Sequence, residues 1–350
     1  MATTSIQPAP SRTGWRVWGH DHAVTELQSA IRRGVRHAYI LSGFEGVGKK
    51  ALALEFARAL VCTNPPQQAV ACGECSACRR VTRGTFPDVT VYDLARQQAE
   101  ASKSSTSKNQ SLNIETVRAI SSSVTLRPME ASHRIVIVDD VETMQETAQE
   151  AFLKTLEEPP AYTVILLLTT DAELLLETIR SRAATIQLQT VKLATIGAML
   201  ESSGVAEGDA TTIASASMGR PGWAIRAAAD PDMLKMRLEL QSSVVSWIQS
   251  DAYQRMIEAT RLGDSFGKDR QAVYDRLAIA QTVWRSAILR SVGVDDLERG
   301  EDGSGTPAVS TSAAAEALRS VERCFGDLDA NVRPRLALQS MVLQWPVVGA

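Results

Sequence analysis

Gly43-Phe44-Glu45-Gly46-Val47-Gly48-Lys49-Lys50 has the spacing of a phosphate loop with one substituted position. In G-x-x-x-x-G-K-[ST] the glycines let backbone N–H groups curl around phosphate oxygens, the lysine neutralises charge and the last hydroxyl holds Mg²⁺. Gly43, Gly46, Gly48 and Lys49 fit that chemistry, whereas Lys50 cannot ligate a cation and adds a second positive charge. Arg134-Ile135-Val136-Ile137-Val138-Asp139-Asp140 ends a β-branched run in two acids. The first, Asp139, suits support of Mg²⁺; the second normally polarises the attacking water, and Asp140 is one methylene shorter than the usual glutamate. Its bland reading is a solvated strand-end acid. The sequence thus predicts a nucleotide loop with impaired hydrolysis, able to hold ATP or ADP without turnover.

Two further groups can do chemistry. Cys62, Cys72, Cys75 and Cys78 place four soft ligands where one tetrahedral Zn²⁺ can collect them, with no open position, so the ion would be structural. A redox pair or an iron–sulfur cluster is the alternative, and no neighbouring feature suggests electron transfer. Arg180 and Arg182, in Thr178-Ile179-Arg180-Ser181-Arg182-Ala183, supply planar cations; spacing alone does not separate a carboxylate partner from an arginine finger aimed at a neighbour's γ-phosphate.

These residues need a frame. An apolar run from Ala38 feeds the loop, and Lys49 to Val61 repeats Leu52, Phe56, Ala59 and Leu60 at helical steps. Trp15 to Arg33 has helical spacing, Pro87 to Tyr92 reads as a short strand, and Asn113 caps a helix carrying Ile114, Val117 and Ile120. A helix with Met144, Ala148, Phe152 and Leu156 stops at Pro159-Pro160, and Thr163 to Thr169 and Thr185 to Leu188 are apolar strands. Continuous apolar strands between amphipathic helices predict an α/β parallel sheet covered on both faces. Beyond Val191 only helical patterns remain, with breaks at Asp230-Pro231 and Gly293 to Thr306. The expected division is a disordered start at 1–14, an α/β domain at 15–190 with a zinc module inserted at 62–78, a small helical lid at 191–229 and an all-helical domain at 230–350. The Ser/Lys/Asn-rich stretch 101–111 reads as a flexible surface insertion.

The chain has 350 residues, 44% of them apolar, and a formal net charge of −3, so any nucleic-acid contact must come from a local face or from partners. No run is apolar long enough to span a bilayer, and Met1 to Thr13 lacks a signal pattern, giving a cytoplasmic expectation without membrane contact. The fifth cysteine, Cys324, reads as a buried small hydrophobe.

Taken together, Val17-Trp18-Gly19-His20, Ala38 to Lys49, the cysteine module, Arg134 to Asp140, Leu153-Lys154-Thr155-Leu156-Glu157-Glu158-Pro159-Pro160 and Arg180-Ser181-Arg182 resemble the AAA+ subunits of the bacterial DNA polymerase III clamp loader. The resemblance covers about residues 15–230 and returns at Ala330 to Leu338, which is similar to the close of that family's helical collar. It implies delta and gamma/tau partners, and a sliding clamp and primer-template DNA reached through the complex. The family's motors keep the loop hydroxyl, the glutamate and a lid arginine that senses nucleotide; here Lys50, Asp140 and Gly222 stand there. The departures imply the delta prime branch, a rigid, largely non-hydrolysing partner whose Ser-Arg-Cys arginine serves the adjacent ATP site. Arg182 holds that position, with Ala183 in place of the cysteine. The rival readings are a gamma/tau-like motor, a AAA+ remodeller outside replication such as a Holliday-junction motor, and a regulator that holds ADP without chemistry.

Overall fold

The computed structural model describes residues 8–101, 111–293 and 306–347. The expected insertion at 101–111, the break at Gly293 to Thr306 and the first seven residues lie wholly or mostly outside these. Residues 8–14, grouped by sequence with a disordered start, carry specific hydrogen bonds. The Trp18 indole donates to the Ala9 carbonyl at 2.8 Å, and the Gln28 amide donates to the Thr13 carbonyl at 3.0 Å.

Five strands form one parallel sheet in the order β2-β3-β4-β1-β5: β1 Ala38–Ser42, β2 Val89–Tyr92, β3 Arg134–Val138, β4 Thr163–Thr169 and β5 Ala184–Gln187. The period-2 rule sorts their side chains onto two cores. Tyr39, Leu41, Ile135, Ile137, Val164, Leu166 and Leu168 join Trp15, Leu27 and Phe56 on one face. Ile40, Val136, Val138, Ile165 and Leu167 join Ile120 and Phe152 on the other. The first face is covered by α1 (Asp21–Arg33), α2 (Lys49–Val61) and α3 (Ser76–Thr82). The second is covered by α5 (Ile114–Thr125) and α6 (Glu146–Glu157), and α4 (Leu94–Ala101) follows β2. A parallel sheet with both faces buried is the expected arrangement.

Helix α1 starts at Asp21, later than the apolar spacing from Trp15 suggests. Gly19 adopts φ +78°, and a Cβ there would lie 2.2 Å from Val191, so the chain turns before the helix begins. Helix α5 begins where Asn113 predicts, its side-chain oxygen accepting from the Thr116 N–H at 2.8 Å.

One buried ion pair pins β2 to β3. Asp88, fully buried, accepts from the backbone N–H groups of Met129, Glu130 and Ala131 at 2.7–2.8 Å, and Arg134 lies 3.8 Å away. Replacing Asp88 with Ala strands three donors and one buried cation, so we expect a loss of about 3–5 kcal/mol in urea unfolding.

After β4 come α7 (Glu177–Arg180), then β5, α8 (Leu193–Ser202), α9 (Glu207–Ser217) and α10 (Pro221–Ala229). The chain divides into two compact units, Met1–Ala210 with Ser217–Ile225, and Thr211–Ala216 with Arg226–Ala350. The lid expected at 191–229 is not a compact unit of its own; most of it belongs to the first. The second unit contains α11 (Pro231–Gln249), α12 (Ala252–Ser265), α13 (Arg270–Ser291), α14 (Thr311–Asp329) and α15 (Pro334–Leu343). Trp247 and Trp284 pack edge-on against Trp345 at 4.8 and 5.7 Å, and buried Arg255 donates to the carbonyls of Ile248, Trp345 and Pro346. Cys324 is buried in α14, where burial pushes its thiol up to about 12, consistent with an inert small hydrophobe. Among the described residues no helix is long and apolar enough to cross a membrane.

Candidate functional site

The loop between β1 and α2 has the backbone that phosphate binding needs. Gly43, Gly46 and Gly48 have φ of +152°, +76° and +116°, and Gly48 is the left-handed residue before α2. A Cβ on Gly43 would lie 2.5 Å from the Leu188 carbonyl oxygen, so glycine is required there by space as well as by conformation. The loop sits at the carboxyl ends of the strands, where open α/β sheets bind ligands. Its floor is held by His20, whose Nε2 lies 2.9 Å from the Val47 carbonyl; burial lowers the pKa of this ring, which favours the neutral form donating there.

The two lysines do different things. Lys49 donates to the carbonyls of Gly43 and Phe44, folded back on the loop it would serve; burial lowers its pKa against the pull of Glu142, Asp139 and Glu45. Lys50 leaves the loop. Its ammonium lies 2.8 Å from Asp93, just beyond β2, and 3.4 Å from Asp139, just beyond β3. Although burial opposes it, those carboxylates hold the Lys50 pKa above the usual value.

Mg²⁺ does not fit this arrangement. The ion needs about six oxygens at about 2.1 Å, and the hydroxyl ligand is missing. The carboxylate that would receive it already faces an ammonium.

Asp140 is half-buried with φ +55°, and Thr143 Oγ1 donates to its carbonyl. Burial, then Asp139 and Glu142, push its pKa up to about 6, so the bland reading of a solvated acid does not hold. Below the unfolded carboxylate pKa neither state is ionised. As pH rises from there through about 6 the unfolded chain ionises first, and stability is lost. Asparagine tolerates the same left-handed backbone, so Asp140→Asn should stabilise the protein by about 1 kcal/mol above pH 7 and by nothing below about pH 3. Thermal melts across that range check this.

The start of α10 contributes a backbone contact to the loop. The Gly222 N–H, in the first turn of α10, donates to the Gly46 carbonyl at 2.8 Å, and a Cβ at 222 would lie 2.9 Å from that oxygen. In this packing no side chain, arginine included, is accommodated at 222.

Arg182 lies at the other end of the sheet. It precedes β5, whose Ala184 pairs with Tyr39 and whose Gln187 pairs with Ser42. About five residues of strand, roughly 16 Å, therefore separate it from the loop after Ser42. It donates to Glu157 at 2.8 Å and to the Thr178 carbonyl at 2.8 Å. With Arg36, His37, His133 and Pro159 it lines a cavity of about 630 Å³. Arg180 pairs instead with Glu173 at 2.5 Å.

The four cysteines converge, with all Sγ atoms within 4.8 Å of one another. Cys62–Cys72 and Cys72–Cys78 are 3.6 and 4.0 Å apart, close to the ~3.8 Å edge of a tetrahedron with 2.3 Å metal–sulfur bonds. Backbone N–H groups of Cys72, Cys75 and Cys78 donate to the sulfurs of Cys62, Cys72 and Cys75 at 3.3–3.4 Å. Although burial opposes it, donation by Cys78 N–H and Thr63 holds the Cys75 thiol down to about 6, while burial pushes Cys62 and Cys78 up. The cluster can hold a metal ion, and its donor set fits zinc.

Sequence reasoning placed the loop, the acids, the cysteines and Arg182. It missed His20 as a support, Asp93 as a partner of Lys50 and Glu157 as a partner of Arg182. The acid that ends Val89-Thr90-Val91-Tyr92-Asp93 was the available signal for Asp93.

A parallel sheet ordered β2-β3-β4-β1-β5, with a phosphate loop after β1 and paired acids after β3, defines a P-loop module of AAA+ type. Residues 19–192 match the family model described as "DNA polymerase III, delta subunit", and through this region the chain is a member of the bacterial DNA polymerase III clamp-loader family. It is 38% identical over 146 residues to DNA polymerase III subunit delta' of Pseudomonas aeruginosa, covering 42% of this chain and 41% of that protein. It is 32% identical over 176 residues to subunit tau/gamma of Haemophilus influenzae, covering 50% of this chain and 23% of that protein. The chain thus spans less than half the length of either relative. A Thermotoga maritima gamma subunit-related protein superposes over 92% of this chain and 97% of its own, with 17% identity and a TM-score of 0.42.

Proposed function

We propose that the chain is the delta prime subunit of the clamp loader, a largely non-hydrolysing AAA+ component that helps load the sliding clamp onto primed DNA. In this reading residues 191–229 act as a lid and residues 230–350 join a helical collar with delta and gamma/tau subunits. Cys62, Cys72, Cys75 and Cys78 hold a structural Zn²⁺, which supplies a rigid cross-link and no chemistry. The location is cytoplasmic, and DNA is met through the complex.

The observation that supports this most is the separation of charge along the sheet. Arg182 stands roughly 16 Å from its own phosphate loop, out of reach of any nucleotide bound there, and is accessible to a neighbour's. Its planar guanidinium can exchange the Glu157 carboxylate for γ-phosphate oxygens and stabilise the charge that develops on transfer. At its own loop, Lys50 on Asp139 and the short Asp140 remove two requirements of hydrolysis.

The match to tau/gamma keeps one rival in view, a hydrolysing motor. ATP turnover by the isolated chain separates the two. Delta prime predicts a rate indistinguishable from that of Lys49→Ala; a rate clearly above that variant's would favour the motor.

A further inference from the structure

The disagreement between this site and Mg²⁺ has a specific cause. Lys50 stands in the first turn of α2, where positive charge is unfavourable against the helix dipole, and no acid occupies that turn. Its side chain reaches across to two carboxylates that come from two different strand ends. Asp93 and Asp139 are each about one-fifth exposed, and Asp140 and Glu142 add negative charge beside them. A hydrolysing loop meets such a cluster with a divalent ion held by its hydroxyl and its strand-end aspartate. Here an ammonium on a four-carbon stem meets it.

We propose that the ε-ammonium of Lys50 is the resident cation of this site, replacing the divalent ion of a hydrolysing loop and tying α2 to the ends of β2 and β3 without any ligand. The loop is thereby held in one arrangement whether or not nucleotide is bound, which suits a subunit that serves as a fixed partner. Any anion that enters the loop is met by Lys49 and the glycine N–H groups, and needs no metal. The inference rests on reading residues 43–49 as a phosphate loop and not on assembly into a loader. Failure to join a loader would leave it standing, and its own failure would leave the Arg182 assignment untouched.

The test is a Mn²⁺ titration of the full, metal-replete chain followed by electron paramagnetic resonance, with and without ADP. The wild type should take up no Mn²⁺ without ADP, and none with ADP beyond what ADP alone binds in a protein-free control. Lys50→Ser, which restores a hydroxyl and removes the charge, should bind one Mn²⁺ with ADP about 10- to 100-fold more tightly than wild type. Adding Asp139→Asn to that variant should abolish the gain. Lys50→Met removes the charge without supplying a ligand and should show a smaller gain of the same kind, so the result does not depend on Lys50→Ser folding. Lys50→Arg should behave as wild type. Mn²⁺ binding by the wild type that Asp139→Asn abolishes would overturn the proposal, as would Lys50→Ser and Lys50→Met both gaining nothing.

Discussion

Replacing Arg182 with alanine should lower DNA-stimulated ATP hydrolysis by the reconstituted loader while leaving the loader assembled. Arg182 follows α7 by two residues and lies roughly 16 Å along the strand from its own loop, so its loss changes no group at that loop. At the single ATP site this subunit would face, removal of an arginine finger costs about 10³-fold in turnover. Glu157 and the Thr178 carbonyl hold Arg182 at 2.8 Å as its partners within the chain. Arg182→Lys should therefore recover little, since a point charge cannot present two parallel donors to a phosphate. Unchanged turnover in Arg182→Ala would remove the assignment, and loss of the complex on gel filtration would show a structural role instead.

Stripping metal from the cysteine cluster should have the larger effect on stability. Cys62 follows α2, and Cys78 lies in α3, so the four sulfurs join two helices that cover one face of the sheet. Val70, Ala77 and Val81, all within or beside the module, belong to the same core as Trp15 and Phe56. The Trp15 indole donates to the Ala69 carbonyl at 2.8 Å, so disorder in the module reaches the first core directly. Metal-free, the module brings four thiols together with no cross-link, and zinc binding in small domains is worth about 10 kcal/mol or more of folding free energy. Part of that is recovered here from the surrounding core. We expect native mass spectrometry to find one zinc per chain, and a chelator or Cys72→Ser to lower the unfolding midpoint well beyond any surface substitution. Protein that carries no zinc and melts identically with and without chelator would contradict the assignment.

Glycine and cysteine spacing made much of the site readable in advance. Gly43, Gly46 and Gly48 are dictated by positive φ, and two C-x₂-C steps bring sulfurs together by local turns alone. The strand ending in Asp139 and the capped helix at Asn113 were legible for the same reason: each signal lies within a few residues of its effect. Long-range partners were not. Lys50 meets Asp93 across 43 residues and Arg182 meets Glu157 across 25, and nothing local in the chain announces either pairing. Helix α4 was missed because Leu94–Ala101 is only eight residues long and carries a single large apolar side chain, Leu94. The start of α1 was misjudged because Trp15 and Val17 are core residues of a turn and not of a helix, a distinction set by Gly19 packing on Val191. Gly222 was noticed for the arginine it lacks; its contact with Gly46 shows why a side chain is not accommodated there.

As a delta prime subunit this chain would work as a partner within a loader. Purifying it together with the delta and gamma/tau subunits of its own organism tests that most directly. We expect a single stable complex on gel filtration in which this chain is stoichiometric, and clamp loading that fails when it is left out. A chain that elutes alone while the other subunits assemble and load the clamp without it would contradict the account.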